Sequence, residues 1–219
     1  MIVDTMENVT LLGAGEVTAA TLAEALTLAP NLVAADGAAA KALSFGHLPT
    51  AVIGDLDSID GASREKIPAD RLHLVAEQES TDFEKCLAAV SAPLILGVGF
   101  MGARLDHELA AYNALVRHPD RRCILIGPVD ICFHAPPELL LEVEPGARVS
   151  LFPMAKVTGR SEGLHWPIEG LRFAPDGRIG TSNAAHGPVR LEFDGPGMLV
   201  ILPRQALRAA ITALGAVAT

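Results

Sequence analysis

Cysteine is scarce in this chain of 219 residues: Cys86, Cys123 and Cys132 are odd in number and far apart. They form no C-x-x-C pair and no disulfide framework, which leaves buried reduced thiols in a cytoplasmic protein as the simplest expectation. Basic residues are in the minority, 17 Lys and Arg against 26 Asp and Glu, for a formal net charge of −9. That excludes nucleic acid and anionic membrane surfaces as general partners, because both need a basic face. An anionic ligand held by a metal and a few local donors is still allowed. No apolar run approaches the roughly 20 residues that span a bilayer; Leu94–Ala103 is too short and carries three glycines. The opening MIVDTMENVT has no basic region followed by an apolar one, so a signal peptide is not expected there. Charged residues make up only 20% of the chain and apolar residues half of it, a composition that buries a substantial core rather than staying disordered.

The length suits one large domain or two small ones. The first part alternates strand-like and helix-like stretches. Strands are predicted at Val9–Leu12, Leu32–Ala35, Ala51–Ile53, Leu94–Val98 and Cys123–Ile126. Helices are predicted between them at Thr18–Leu28, Ala38–Phe45, Thr81–Val90 and Leu105–Val116. This rhythm predicts a parallel sheet covered by helices. After about Pro136 the helical pattern stops. Runs at Arg148–Phe152, Leu171–Phe173, Val189–Phe193 and Met198–Leu202 are separated by Pro-Gly, Asp-Gly and Gly-Pro turns, which predicts an antiparallel sandwich or small barrel. The boundary falls near Ala135-Pro136, giving an α/β domain over 1–135 and a β domain over 136–219, with Arg204–Leu214 as a closing helix.

Three segments carry chemistry. In PTAVIGDLDS an apolar run stops at Gly54 and two carboxylates follow, Asp55 and Asp57. Ligands of open α/β sheets bind at the carboxyl ends of the strands. Residues two apart in an extended segment point to one side, so both carboxylates would face one cation, and Mg²⁺ favours a few carboxylates together with substrate phosphates. A solvated Gly-Asp turn is the plain alternative. In ESTDFEKCLAAV, Thr81 and Glu84 form a capping box, which makes Thr81 the N-cap. Phe83, Cys86, Leu87 and Val90 make the buried stripe, and Asp82 and Lys85 share another face. Asp82 suits the helix dipole; Lys85 opposes it, a cost that a phosphate bound at this helix start would offset. In GFMGARLDHELAAYNAL, an apolar stripe runs through Leu105, Leu109, Tyr112 and Val116. Asp106 and Asn113 share a face, and Arg104 at the helix entrance suits bidentate phosphate binding. His107 reads as structural or solvent-facing. LLGAGE at Leu11–Glu16 lacks the third glycine of a dinucleotide fingerprint and fits a tight turn.

AADGAAAKAL, VIGDLDS, QESTDFEKCL and GARLDHELA occur in the order and spacing of the thiamine pyrophosphokinase family, which the chain resembles from about Val9 to Leu202. GLHWPIEGL and TSNAAHG are similar to that family's C-terminal thiamine-site segments. The resemblance implies a Rossmann-like three-layer α/β catalytic domain, a C-terminal β-sandwich and a cytoplasmic homodimer with thiamine at the subunit interface. It implies transfer of pyrophosphate from ATP to the thiamine hydroxyl with release of AMP, assisted by Mg²⁺. Carried over by motif, Asp55, Asp57 and Asp82 resemble the metal ligands, and Gln78, Lys85 and Arg104 the nucleotide and phosphate contacts. Asp36 and Asp106 match acidic positions near the reacting groups, and Asn113 a polar position in the cleft. Trp166 and Ser182 match the residues that stack on and hydrogen-bond thiamine. Either Asp82 or Asp106 would take the hydroxyl proton. Two departures stand out: Gly37 is followed by Ala38-Ala39-Ala40 in place of Gly-Ala-Asn, and Ala103 stands where relatives have Gly, so a methyl would crowd close backbone approach to a ligand. A diphosphokinase for another hydroxyalkyl heterocycle, such as a pterin, and a non-catalytic thiamine- or nucleotide-binding module fit the same residues.

Overall fold

The protein's structure, a computed structural model, describes residues 1–77, 79–102 and 104–215. The chain divides into two compact units. Of the described residues, the first comprises Met1–Ala114 and Leu125–Gly127; the second comprises Leu115–Ile124 and 128–215.

In the first unit, β1 (Val3–Asp4) is a short strand, followed by β2 (Val9–Leu12), α1 (Ala19–Leu28), β3 (Asn31–Ala35), α2 (Ala39–Ser44), β4 (Ala51–Gly54), α3 (Gly61–Lys66) and β5 (Leu72–Leu74). Then come α4 (Asp82–Ala89), β6 (Val90–Ser91), β7 (Ile95–Val98), α5 (Leu105–Arg117), whose last three residues belong to the second unit, and β8 (Cys123–Ile126), of which Leu125 and Ile126 belong to the first. Strands β2, β4 and β7 are buried at every position, as expected for parallel strands covered on both faces. β5–β4–β3–β2–β7 lie side by side, and the pairings of β5 with β4, β4 with β3, β3 with β2 and β2 with β7 are parallel. Helix starts are fixed by side chains: Thr18 Oγ1 accepts from Thr21 N–H at α1, and Thr81 Oγ1 from Glu84 N–H at α4, the expected cap. The chain builds outward from β2 through β3, β4 and β5, then crosses back to place β7 on the other side of β2. The strand order therefore reverses at β2, and a crevice opens at the carboxyl ends there.

That crevice depends on glycine. Gly13 follows β2 and Gly99 follows β7. A Cβ on Gly13 would lie 2.6 Å from the Gly99 carbonyl oxygen, and one on Gly99 would lie 2.6 Å from that of Gly13. Gly99 also has φ +79°, in the region that glycine favours.

In the second unit the strands described pair antiparallel. Its strands are β9 (Asp130–His134), β10 (Glu138–Leu141), β11 (Arg148–Pro153), β12 (Gly159–Leu164), β13 (Thr181–Phe193) and β14 (Met198–Pro203). A single 3₁₀ turn then leads into α6 (Leu207–Ala213), within the expected closing helix. The sequence predicted only the second half of β13, because Gly187-Pro188 reads as a turn. The strand continues through it. Thr181–Ala184 pairs with β11 and Val189–Glu192 with β10, so Pro188 sits between the two ladders, where its missing N–H costs nothing. Leu171–Phe173 is not a strand; Phe173 makes isolated bridges to Val157 and Arg178.

The α5 stripe also differs from expectation. Leu105 and Leu109 are 71% and 55% exposed, and the buried face is Ala111, Ala114 and Leu115. Small alanines pack closely and carry little hydrophobic signal, whereas the leucines at helical spacing drew the stripe to the wrong side. All three cysteines are buried thiols. Among the described residues no helix is long and apolar enough to cross a membrane.

Gly99→Ala should destabilise the ligand-free protein by roughly 1–3 kcal/mol, from the left-handed φ and the backbone contact together. Gly46→Ala has a similar φ and open space around its Cβ, so it is the control and should cost less. Equal melting temperatures for the two variants would contradict the close approach.

Candidate active site

The site is built where β3 and β4 end. Ala35 and Ile53 are register partners, so Asp36 and Gly54 come next to one another at the strand ends. A Cβ on Gly54 would lie 2.5 Å from Asp36 Cγ, so the glycine of the G-D-x-D-S segment makes room for a carboxylate from another strand. Asp36 is 1% exposed. Its Oδ1 accepts from Gly37 N–H at 2.6 Å and its Oδ2 from Leu56 N–H at 2.8 Å. The latter bond holds Leu56 at φ +62°, rare for a branched side chain and the mark of a conformation imposed by its surroundings. Asp55 and Asp57 therefore do not share a side by lying on an extended segment. A tight turn anchored by Asp36 gathers them, and Asp57 N–H reaches Asp55 Oδ1 at 3.4 Å.

Asp36, Asp55 and Asp57 each bring one carboxylate oxygen into a group within 4.8 Å. Asp82, an expected metal ligand, is not in that group; Asp36 takes the third place. Burial, the charge of Asp82 and a hydrogen bond with Asp55 push the Asp36 carboxyl up to about 6, against the two backbone N–H donors. Lys85 Nζ stands 3.4 Å from Asp55 Oδ2 and 3.8 Å from Asp82 Oδ1, with its side chain 3% exposed. The position of this lysine near the positive end of α4 is thus offset within the protein itself by two carboxylates, without needing a phosphate.

The cleft in the first unit has a volume of about 310 Å³ and is lined by Ala14, Gly15, Gly37, Ser58, Asp82, Phe83, Gly99, Phe100, Arg104 and His107. It lies where the strand order reverses. Phe83 and Phe100 pack at a ring separation of 4.6 Å on its wall. Arg104 grips Asp106 through two hydrogen bonds of 3.1 and 2.6 Å, which hold the exposed Asp106 carboxyl down at about 2. Asn113 is exposed further along α5. Gln78 and Ala103 lie outside the described residues. Ala38 is fully buried, so its methyl points into the core; Gly37 is the residue that faces the cleft.

Sequence reading missed two residues that line or fix this cleft. His107 lines it from the first turn of α5. Lys41 Nζ donates to the carbonyls of Ala14 and Gly15 and ties the loop after β2 to α2. Nothing in the sequence marks that long-range contact.

In the second unit, Trp166 follows β12 and is 58% exposed, with His165 edge-on to its ring at 4.4 Å. It is not a core aromatic. Ser182 is exposed on β13 beside its register partner Ser150.

With this geometry in view, comparison with known proteins is informative. Residues 22–126 match the family model for the thiamin pyrophosphokinase catalytic domain. Thiamine pyrophosphokinase 3 of Oryza sativa subsp. japonica is 28% identical over 156 residues, 63% of this chain and 58% of that protein. Thiamine pyrophosphokinase 1 of Arabidopsis thaliana is 27% identical over 169 residues, 66% of this chain and 61% of that protein. The matched region thus spans about three fifths of the length of these curated relatives. The solved thiamin pyrophosphokinase from Candida albicans superposes with a TM-score of 0.75 at 16% identity, over 90% of this chain and 89% of that one. The corresponding structure from Geobacillus thermodenitrificans gives 0.72 at 19%, over 89% and 96%. At these identities the structural matches establish the shared fold.

The raised Asp36 carboxyl makes a signed prediction. The unfolded state holds an ordinary carboxyl near 3.8, so between about pH 4 and 6 the folded state binds more protons. Metal-free protein should therefore gain stability from this group as pH falls from 7 to 5, on the order of 1–3 kcal/mol for a shift of this size. His134 acts in the opposite sense, since burial lowers its pKa. The difference between wild type and Asp36→Asn isolates the Asp36 contribution. Denaturant titrations at pH 5, 6 and 7 in chelator should show the Asn variant losing its advantage as pH falls; a constant difference would refute the shift.

Proposed function

We propose, from the premise that residues 22–126 belong to the thiamin pyrophosphokinase catalytic-domain family, that the protein transfers pyrophosphate from ATP to the hydroxyl of thiamine, giving thiamine diphosphate and AMP. The observation that carries the proposal is the clustering of Asp36, Asp55 and Asp57 with Lys85 and Asp82, in the same unit as a cleft at the switch point of a parallel sheet.

The donor set fits Mg²⁺. It is all carboxylate oxygen and it is compact, and burial and the charge of Asp82 hold its buried member toward the neutral form. Asp36, Asp55 and Asp57 would hold the ion, with Asp82 at its edge. When bound, the ion neutralises phosphate charge and orients the oxygens of the transferred group. The chain's own residues supply the rest, because this chemistry is mostly positioning and charge stabilisation. Gly37 and Gly99 let backbone line the cleft closely. Arg104 offers its guanidinium fork at the same cleft and exchanges Asp106 for a phosphate as nucleotide enters. The thiamine hydroxyl oxygen bonds to the β-phosphorus, the bond from that phosphorus to the bridging oxygen of AMP breaks, and the hydroxyl proton passes to a carboxylate. We assign that proton to Asp82, the one of these two carboxylates, Asp82 and Asp106, that lines the cleft. Trp166 and Ser182 would hold thiamine. An exposed indole face suits its permanently cationic ring, worth roughly 0.5–2 kcal/mol. The reading includes a cytoplasmic homodimer with thiamine at the subunit interface.

Purified protein with MgATP and thiamine, followed by ³¹P NMR and chromatography, should yield AMP and thiamine diphosphate in equal amounts. Asp55→Asn should lower turnover by about 10²–10³-fold, with the far-UV spectrum unchanged. Release of ADP, turnover only with a hydroxylated pterin, or saturable thiamine binding without any AMP would each overturn the proposal.

A further inference from the structure

Asn183 is one of few buried polar side chains in the second unit, 3% exposed on β13. It alternates with exposed Ser182, so the two point to opposite faces of the strand. Its amide does not serve the strand ladder. Oδ1 accepts from the backbone N–H of Trp166 at 3.1 Å, and Nδ2 donates to the carbonyl of Trp166 at 2.7 Å. Both backbone polar groups of residue 166 are thus satisfied by one side chain 17 positions away. Oδ1 also accepts from Ala184 N–H at 3.0 Å, which fixes the amide itself. The neighbouring residue is held too, as His165 N–H donates to the Ala184 carbonyl at 2.8 Å. The result is an indole that is largely solvent-exposed on a backbone that is fastened at both ends.

Exposure and fixation together need a reason. A large aromatic left in water gains nothing from a fastened backbone, whereas a binding face does, because ordering before binding lowers the cost of binding. We infer that Asn183 is a positioning residue: it locks the backbone of Trp166 to the strand that carries Ser182, so that the two contacts for the cationic acceptor are held in one arrangement. The inference rests on the assignment of Trp166 and Ser182 to the acceptor. Asparagine is the side chain that fits, since one acceptor and one donor must meet one N–H and one C=O. Aspartate keeps the size and the acceptor but turns the donor into a second oxygen facing the Trp166 carbonyl. Protonation of that aspartate would restore the donor.

The test begins with unmodified full-length protein. The Trp166 amide should exchange with D₂O at least about 100-fold more slowly than a free loop amide, as a hydrogen-bonded backbone group does; exchange at the free rate would overturn the clasp. Asn183→Asp and Asn183→Ala are then compared by the fluorescence of Trp166, the chain's single tryptophan. At pH 7 both should lower its anisotropy in the ligand-free state, and the Asp variant should recover at acid pH while the Ala variant does not. The thiamine KM should rise about tenfold, a change of about 1.4 kcal/mol, with the ATP KM and kcat within twofold. Unchanged anisotropy, or equal increases in both KM values, would refute a positioning role. If wild type turns over no thiamine, the function proposed above fails, yet the exchange and anisotropy measurements still decide whether Asn183 holds Trp166. Should neither variant fold, the wild-type exchange rate decides alone.

Discussion

The first unit is organised around one carboxylate buried at the ends of two neighbouring strands. Asp36 sits where only Gly54 leaves space, and it is bonded to Gly37 and Leu56. Without it the Leu56 turn has no anchor, and Asp55 and Asp57 lose the conformation that gathers them. A buried carboxylate with like charges nearby is unfavourable for the empty protein. Its persistence is intelligible if the fold is selected for a bound cation, which turns the same arrangement from strained to complementary. The cost is visible as the raised Asp36 carboxyl.

Lys85 limits that cost. It places a positive charge against Asp55 and Asp82 from inside α4, on the same helix whose apolar side packs Phe83, Cys86 and Leu87 into the core. The helix therefore has two duties, and its capping box at Thr81 sets the rotation that serves both. Shifting the helix by one residue so that Lys85 took the place of Cys86 would turn its ammonium away from the carboxylates and into the core. The charge pattern is local: a chain with net charge −9 still presents Arg104 at the cleft.

Much of this was legible in the sequence where the signal was a continuous apolar run or a cap. Strands β2, β3, β4, β7 and β8 and helices α1 and α4 were read closely, since buried parallel strands and capped amphipathic helices announce themselves locally. The Asp55 and Asp57 pair was visible from its spacing, and Asp36 through the family resemblance as an acidic position near the reacting groups; that Asp36 joins the pair was not, because that contact is set by the register of β3 against β4. In the second unit, charged residues such as Arg160, Glu162, Arg190 and Glu192 line the outward positions of β12 and β13 and dilute the alternation. Gly187-Pro188 imitated a turn inside β13. Asn183 had one sign: a polar residue at an inward register, next to an outward serine.

Ala38, which departs from the motif that the sequence otherwise resembles, illustrates how glycine is distributed. Glycine persists where backbone meets backbone or carboxylate, at Gly13, Gly54 and Gly99, and where the loop after β3 faces the cleft, at Gly37. At residue 38 the chain turns inward, and alanine is buried there without touching the cleft. A methyl at an inward position fills the core and reduces the conformational freedom of the unfolded chain, both of which favour folding. The alanine at 38 therefore alters the support behind the cleft and leaves the cleft-facing residues as they are, with Gly37 toward the cleft and Asp36 toward Asp55 and Asp57.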